Sequence, residues 1–275
     1  MSSRAGSACY VDLDGTLLGR GASLLHDGEG GISLQGVRAV EACLRAGVEV
    51  VLMSGRRRAQ VAEDARLLGQ RSFIYEAGCV VVLDGEEHWL TGPFVPGELS
   101  VHQQIADSGA PLVLLEHYAG RLEYHAPWSE SREVSHLFRG LVDADEADEL
   151  LRAHGHDDLR LVDNGVIDHR SAALADLSVV RAYHLIPAGG SKAAAVAFHM
   201  RARGLDRSAT FAIGDSREDL AVAANVATFW VVANGLERDP TLREAMRSHR
   251  NVRVAEESYG AAVYEAVVTT LAERR

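Results

Sequence analysis

The sequence predicts an α/β protein in which a doubly wound, parallel β-sheet core is interrupted by an inserted α+β domain. Near both ends of the chain, short apolar runs alternate with helical patterns, which is typical of a parallel sheet covered by helices. In the middle, strand patterns come in pairs on either side of turn sequences, which is typical of antiparallel hairpins. The chain has 275 residues, of which 47% are hydrophobic, and this suffices for one large or two modest domains. We therefore assign residues 1–83 and 185–275 to the core and residues 84–184 to the inserted domain.

The first part of the chain alternates strand and helix patterns. Its apolar runs are short and continuous, as expected for strands that are buried on both faces. The predicted elements are a strand over 8–11, an irregular loop over 19–31, a helix between an N-cap at Ser33 and an end at Gly47, a strand over 48–53, a helix over 59–68 and a strand over 72–75.

The middle of the chain carries a different pattern. Asp-Gly, Ala-Gly and Asn-Gly pairs each separate two strand-like runs, and such pairs favour tight hairpin turns. The predicted hairpins join 80–83 to 88–90, 111–116 to 121–125, and 159–162 to 166–169, with helices over 99–107 and 144–153.

The parallel pattern returns towards the end, with helices over 191–203, 220–224, 241–247 and 259–271 and strands over 209–213 and 228–232. In open α/β sheets, ligands bind at the carboxyl ends of the strands. Asp12, Asp14, Ser54 and Asp215 all fall at such ends. We therefore expect residues from the two ends of the chain to converge on one site.

Asp12 and Asp14 are the first candidates for catalysis. Two carboxylates held close together repel each other, and Mg²⁺, which prefers oxygen ligands, would compensate. With Asp215, the hydroxyl of Ser54 and the amine of Lys192, they suit phosphoryl transfer to an attacking carboxylate. Asp14 would protonate the leaving oxygen and then deprotonate the incoming water. Each of these residues also has a purely structural explanation as a turn, cap or helix-start residue.

Four short motifs resemble those of the haloacid dehalogenase superfamily of aspartyl-phosphate phosphatases, and they occur in that superfamily's order. The resemblance covers about residues 8–83 and 185–275 and implies a Rossmann-like core. The motifs are Asp12-Leu13-Asp14-Gly15-Thr16, Ser54-Gly55-Arg56, Lys192 within Gly189-Gly190-Ser191-Lys192, and Gly214-Asp215-Ser216-Arg217-Glu218-Asp219.

The resemblance implies a role for each matched residue. Asp12 would be the nucleophile, and Asp14 would be the general acid and base and offer its backbone carbonyl to the metal. The implied assignments are catalysis by Asp12 and Asp14, Mg²⁺ ligation by Asp12, Asp14, Asp215 and Asp219, and phosphate binding by Ser54, Gly55 and Lys192.

The insertion follows the third predicted strand, which resembles the Cof-like branch with its type IIB cap. The run Tyr183-His184-Leu185-Ile186-Pro187 before Lys192 resembles mannosyl-3-phosphoglycerate phosphatases and sucrose-phosphate phosphatases. Two departures stand out. Glu76-Ala77-Gly78-Cys79 lies where the branch usually has Glu-Asn-Gly-Ala, and Glu218-Asp219 lies where it usually has Asn-Asp.

The inserted domain is expected to close over the site and contact the part of the substrate away from the phosphate. Arg56 and Asn234 are candidate substrate contacts from the core. The histidines of the predicted insert, including His125 and His184, are assigned mostly surface or structural roles. The candidates within the insert are Arg132, Asp168, His169 and Arg170.

These features predict a magnesium-dependent phosphomonoesterase that acts on a small phosphorylated metabolite, such as a sugar or glycerate phosphate. One alternative is a phosphosugar mutase, because phosphomannomutases share this architecture and the first motif. Another is a non-catalytic binding protein with the same fold. The intact Asp12 and Asp14 argue against the latter, since a binding protein needs no nucleophile.

Composition excludes several other classes of protein. The formal net charge of −11 argues against a nucleic-acid-binding surface. Residues 1–7 lack the apolar segment of a signal peptide, and no apolar run is long enough to span a membrane. Cys9, Cys43 and Cys79 lack metal-site spacing and lie in apolar segments, so we expect reduced core residues. We expect a cytoplasmic monomer or homodimer.

Overall fold

The computed structural model describes residues 6–168 and 170–274, whose strands form two β-sheets. The strands are β1 Ser7–Asp12, β2 Val48–Met53, β3 Phe73–Tyr75, β4 Val80–Leu83, β5 Glu86–Trp89, β6 Leu122–Tyr124, β7 His136–Gly140, β8 Leu159–Val166, β9 Arg181–Pro187, β10 Thr210–Gly214, β11 Thr228–Val231 and β12 Val252–Val254. The α-helices are α1 Gln35–Ala46, α2 Arg58–Leu67, α3 Val101–Asp107, α4 Ala110–His117, α5 Ala144–Ala153, α6 Lys192–Arg203, α7 Arg217–Leu220, α8 Ala233–Arg238, α9 Leu242–Met246 and α10 Tyr259–Glu273.

The large sheet has eight strands in the order β12-β11-β10-β1-β2-β3-β4-β5. All neighbours from β12 to β3 are parallel, and β4 and β5 extend the sheet in antiparallel fashion. The crossovers between parallel strands run through helices, as the sequence predicts. The predicted α/β fold class is confirmed.

Alternate residues of the central strand β1 face opposite layers of helices. Cys9 and Val11 belong to a core that also includes apolar residues of α1, α2 and α10. Ala8 and Tyr10 belong to a second core with apolar residues of α6 and the short helices that follow. This alternation follows from the two-residue period of a strand, and it shows that the large sheet is covered on both faces.

The small sheet is antiparallel, with strand order β6-β7-β9-β8. Buried apolar residues of α3, α4 and α5 pack with those of its strands. The chain enters this sheet after β5 and returns to the large sheet through β9, which leads into α6. None of the helices in the described part of the chain is both long and apolar enough to cross a membrane.

The predicted strand over 111–116 is wrong, because this segment forms α4. Gly109 lies at the N-cap and Pro111 lies in the first turn, where a missing N–H costs nothing. The following run of Leu and Val is short and apolar, and periodicity alone cannot separate a buried strand from a buried helix of that length.

The predicted hairpin over 159–169 is also wrong. Residues 159–166 form the single strand β8, which pairs with β9 along its length. The register shifts between Asp163 and Val166, so Asn164 and Gly165 form an irregularity within the strand. Gly165 has φ +98°, a conformation that serves a bulge as well as a turn.

Three boundaries also differ from the sequence prediction. The hairpin over 80–90 lies in the large sheet, so β5 falls outside the predicted core limit at residue 83. Residues 185–187, predicted to start the second core segment, end β9 in the small sheet. Helix α1 has its N-cap at Leu34 rather than at Ser33, whose hydroxyl accepts a 3.4 Å hydrogen bond from the N–H of Gln35.

Candidate active site

Polar side chains from distant parts of the chain meet at the carboxyl end of the large sheet. Asp12 is the last residue of β1, Ser54 follows β2, and Asp215 follows β10. These strands are parallel neighbours, so their ends lie side by side. Together with Lys192 at the start of α6, they line a cavity of about 430 Å³. Residues of the small sheet line the same cavity, which therefore lies between the two sheets.

Three carboxylates and one amine form the floor of this cavity. Asp12, Asp215 and Asp219 each offer an oxygen, and these oxygens lie within 4.8 Å of one another. The Nζ atom of Lys192 lies 2.7 Å from Oδ1 of Asp12 and 2.6 Å from Oδ1 of Asp219. Lys192 and Arg238, whose Nη1 lies 3.5 Å from Oδ2 of Asp215, do not balance three carboxylates, so a divalent cation fits this set of oxygen donors.

Burial and mutual repulsion both oppose ionisation of Asp12 and Asp215. Burial, followed by the charge of Asp219, raises the pKa of Asp215 to about 7. Burial also raises the pKa of Asp12 well above its usual value, although the ammonium of Lys192 acts in the opposite direction. Bound positive charge beyond that of Lys192 would favour the ionised carboxylates, which is what a nucleophile requires.

Gly15 permits the tight packing of the first motif against Asp215. Its φ is +83°, and a Cβ atom at this position would lie 2.2 Å from Oδ2 of Asp215. Both the backbone conformation and the close approach therefore require glycine.

The Asp14 carboxylate lines the cavity but lies outside the three-carboxylate cluster. Nε and Nη2 of Arg56 each donate a 2.6 Å hydrogen bond to one of its oxygens. Nη1 of Arg56 donates a 3.0 Å hydrogen bond to Asp64. This two-point contact fixes the orientation of Asp14, because the planar guanidinium matches the carboxylate geometry.

The loop after β2 offers hydrogen-bond donors beside the acidic cluster. Ser54 is buried, and its Oγ accepts a 3.1 Å hydrogen bond from the N–H of Arg56. The N–H of Gly55 has no backbone acceptor among residues 6–168 and 170–274. A Cβ atom on Gly55 would lie 2.7 Å from Nε2 of His184 and 3.3 Å from Nδ2 of Asn164. The small sheet is therefore in direct contact with this loop.

Known proteins resemble the chain in sequence. The family model described as sucrose-6F-phosphate phosphohydrolase matches residues 163–269. A phosphoglycolate phosphatase of Methanoculleus marisnigri is 27% identical over 265 residues, covering 94% of this chain and 93% of the relative. A phosphoglycolate phosphatase of Pyrobaculum neutrophilum is 29% identical over 236 residues, covering 86% and 85%.

Solved structures share the whole fold. The sucrose-phosphatase of Synechocystis sp. PCC6803, solved with sucrose and phosphate, has a TM-score of 0.64 and 16% identity, and 98% of each chain is covered. A phosphatase of the haloalkanoate (HAD) enzyme superfamily from Bacteroides thetaiotaomicron has a TM-score of 0.62 and 14% identity, covering 98% of this chain and 96% of the other. The chain therefore has the fold of haloacid dehalogenase superfamily enzymes. Its sequence is similar to those of phosphatases.

Glu218 lies where the fourth motif of the superfamily usually has Asn. It contacts Lys192, the lysine of the third motif. Its Oε1 accepts a 2.8 Å hydrogen bond from the backbone N–H of Lys192, and its Oε2 lies 3.8 Å from Nζ of that lysine. Burial raises the pKa of Glu218 to about 7. Asp219 also contacts the lysine, while its Oδ2 accepts a 2.6 Å hydrogen bond from the hydroxyl of Ser216.

Two of the predicted substrate contacts do not reach the cavity. Nδ2 of Asn234 donates to the carbonyl of Gly15 at 2.7 Å, and its Oδ1 accepts from the N–H of Tyr259 at 2.9 Å. Both ends of this amide are thus used to fix loops of the core. The guanidinium of Arg170 donates to the carbonyls of Leu177 and Ser178, each at 2.7 Å, and is exposed outside the cavity.

The predicted substrate contacts from the inserted domain differ in whether they line the cavity. Arg132 lines the cavity, whereas Asp168 is exposed and does not, and His169 lies outside the described residues. His184, assigned a surface or structural role from sequence, is buried and lines the cavity. Burial, then the charges of Arg132 and Lys192, lower its pKa well below the usual value. Asn164 was missed because its Asn-Gly pair predicted a turn.

Proposed function

We propose that this protein is a magnesium-dependent phosphomonoesterase that hydrolyses a small phosphorylated metabolite, a sugar or glycerate phosphate, through an aspartyl-phosphate on Asp12. The observation that carries the proposal is the buried Asp12 carboxylate, held 2.7 Å from Nζ of Lys192 within the acidic cluster. The names of the relatives support the substrate size, because phosphoglycolate and sucrose phosphate are both small phosphate esters.

Asp12 is the proposed nucleophile. Its Oδ1 is hydrogen-bonded to Lys192, which leaves Oδ2 to attack the phosphorus. A bond forms between this oxygen and phosphorus while the ester bond to the leaving oxygen breaks. The ammonium of Lys192, the hydroxyl of Ser54 and the N–H of Gly55 would bind the phosphoryl oxygens and stabilise their charge.

The carboxylates of Asp12, Asp215 and Asp219, with the backbone carbonyl of Asp14, would hold Mg²⁺. When bound, this cation neutralises charge on the carboxylates and on the phosphoryl group. The clustering of three carboxylate oxygens within 4.8 Å supports this assignment.

Asp14 is the proposed general acid and base. It would give a proton to the leaving oxygen and then take one from the water that hydrolyses the aspartyl-phosphate. The guanidinium of Arg56 would keep its carboxylate oriented through both steps, since it contacts both oxygens.

We further propose that the segment carrying the small sheet forms a cap domain over the phosphatase core. Its side chains line one wall of the cavity and would select the leaving group and exclude water. Because β5 belongs to the large sheet, this cap would begin after Trp89 rather than at residue 84.

The test is phosphate release from sugar phosphates, glycerate phosphates, phosphoglycolate and a chromogenic aryl phosphate. We expect release with Mg²⁺ and none with a chelator. Asp12→Asn should lower turnover by at least about 1,000-fold, because the nucleophile is lost. Asp157→Asn, at an exposed aspartate, is the matched control. Unchanged turnover in Asp12→Asn would contradict the proposal, and phosphate migration within hexose phosphates without release would favour the mutase.

A further inference from the structure

Arg132 is a buried cation. It lies in the wall of the cavity that the inserted domain contributes. Its side chain is held by three hydrogen bonds: Nε donates to the carbonyl of Trp128 at 2.9 Å, and Nη1 donates at 3.0 Å to both the carbonyl of Gly55 and the hydroxyl of Ser135. The residue is only 8% exposed. Among residues 6–168 and 170–274 its Nη2 has no hydrogen-bond partner, and the residue lines the cavity.

The charge of Arg132 is compensated differently from those of the other basic residues in the cavity. Arg56 and Lys192 each contact two carboxylates at 3.0 Å or less. Arg132 forms no ion pair within the described part of the chain. The carboxylate of Glu76 favours its charged form from a greater distance, but burial outweighs this effect and lowers the pKa of Arg132. A buried guanidinium without a paired anion is costly, and an anionic ligand would offset that cost.

The position of Arg132 limits the length of the ligand. Its Nη1 bonds the carbonyl of Gly55, the residue after Ser54 in the proposed phosphate-binding loop. An anion on Nη2 would therefore lie close to a phosphate in that loop. The apolar side chains of Leu137, Ile167 and Ala182 line the same cavity, together with polar side chains such as those of Asn164 and His184.

We infer that Arg132 binds a carboxylate of the substrate, and that the substrate class is a two- or three-carbon phosphorylated carboxylic acid. This inference rests on the proposed function, since it places the phosphate at Ser54 and Lys192. Hydrolysis of such an ester by water yields the hydroxy acid and inorganic phosphate. The guanidinium is suited to this role because both N–H groups of Nη2 remain for a carboxylate, whereas a neutral sugar would leave its charge unpaired.

The experiment compares matched pairs of substrates that differ only at the carboxylate. The pairs are 2-phosphoglycolate with 2-hydroxyethyl phosphate and 3-phosphoglycerate with glycerol 1-phosphate. The wild-type protein should prefer the acid in kcat/KM, and Arg132→Gln should lower this preference by about 10- to 100-fold, the range expected for a charge-assisted hydrogen bond. Arg132→Lys should keep part of the preference. Arg57→Gln, which removes a nearby positive charge that does not line the cavity, should keep all of it.

A binding measurement separates this inference from the proposed function. Calorimetric titration with 3-phosphonopropionate and 3-hydroxypropylphosphonate, which cannot be hydrolysed, should show the same dependence on Arg132. Equal losses for acid and alcohol in Arg132→Gln, or no preference in the wild-type protein, would overturn the inference. Arg132-dependent binding of the acid without hydrolysis of any ester would overturn the proposed function and support the carboxylate site.

Discussion

The buried Glu76 connects the large sheet to the segment that precedes β7 of the small sheet. Glu76 follows β3, is fully buried and has φ +47°. Its carboxylate accepts hydrogen bonds from three consecutive backbone N–H groups, those of Glu133 at 2.7 Å, Val134 at 3.0 Å and Ser135 at 2.6 Å. Such a site needs an acceptor-only group with two oxygens, so carboxylate chemistry explains why glutamate lies here.

Glu76→Gln tests this role. Glutamine has one oxygen, and its NH₂ group would face backbone donors, so we expect a loss of about 2–3 kcal/mol in the free energy of unfolding. Chemical denaturation measures it, with Glu98→Gln at an exposed glutamate as the control. Equal stability of the two variants would show that the three hydrogen bonds contribute nothing specific.

At the scale of elements, the parts of the fold with strong local signals were predictable. Continuous apolar runs between helices mark the strands β1, β2, β10 and β11. Their order was enough to predict that Asp12, Ser54 and Asp215 lie together. In contrast, α4 and the irregular part of β8 depend on packing against the rest of the insert. Local periodicity does not contain that information, so both were predicted wrongly.

The two walls of the cavity also differ in how far the sequence predicts them. The core wall follows from chain order, because polar residues after parallel strands meet at one edge. The wall from the small sheet brings together His184, Asn164 and Arg132, which come from different strands and loops. Their convergence depends on how the small sheet lies on the loop of Gly55, and no spacing in the sequence encodes it.

At the scale of the whole molecule, contacts between the sheets hold the cavity in place. Nε of Arg181, in the small sheet, donates a 2.7 Å hydrogen bond to Asp163, and Nη2 donates a 2.7 Å hydrogen bond to Asp239 between α8 and α9. Arg132 also donates a 3.0 Å hydrogen bond to the carbonyl of Gly55. The geometry of the site is therefore coupled to the stability of the insert.

The free energy of unfolding should fall at acidic pH because of a buried histidine. Burial, followed by the charge of His102, lowers the pKa of His136 to about 4. Between about pH 6.5 and pH 4 the unfolded chain binds more protons at this group than the folded chain does, so its stabilising contribution is present above pH 6.5 and is lost as the pH falls. The shift corresponds to at most about 3 kcal/mol.

His136→Gln should remove this contribution. We expect the difference in the free energy of unfolding between wild type and variant to shrink as the pH falls from 7 to 4, because only the wild type must protonate His136. Denaturant titrations at several pH values measure it, with His117→Gln at an exposed histidine as the control. A difference that stays constant across this range would contradict the assignment.

The central claim is that Asp12 becomes covalently phosphorylated and that Asp14 serves the hydrolysis of that intermediate. The most direct measurement uses Asp14→Asn with Mg²⁺ and a chromogenic aryl phosphate, whose leaving group needs no general acid. We predict a rapid burst of one aryl alcohol per active site, and mass spectrometry of the quenched protein should place one phosphoryl group on Asp12. Linear release without a burst, an unmodified Asp12, or a phosphoryl group on another residue would contradict the account.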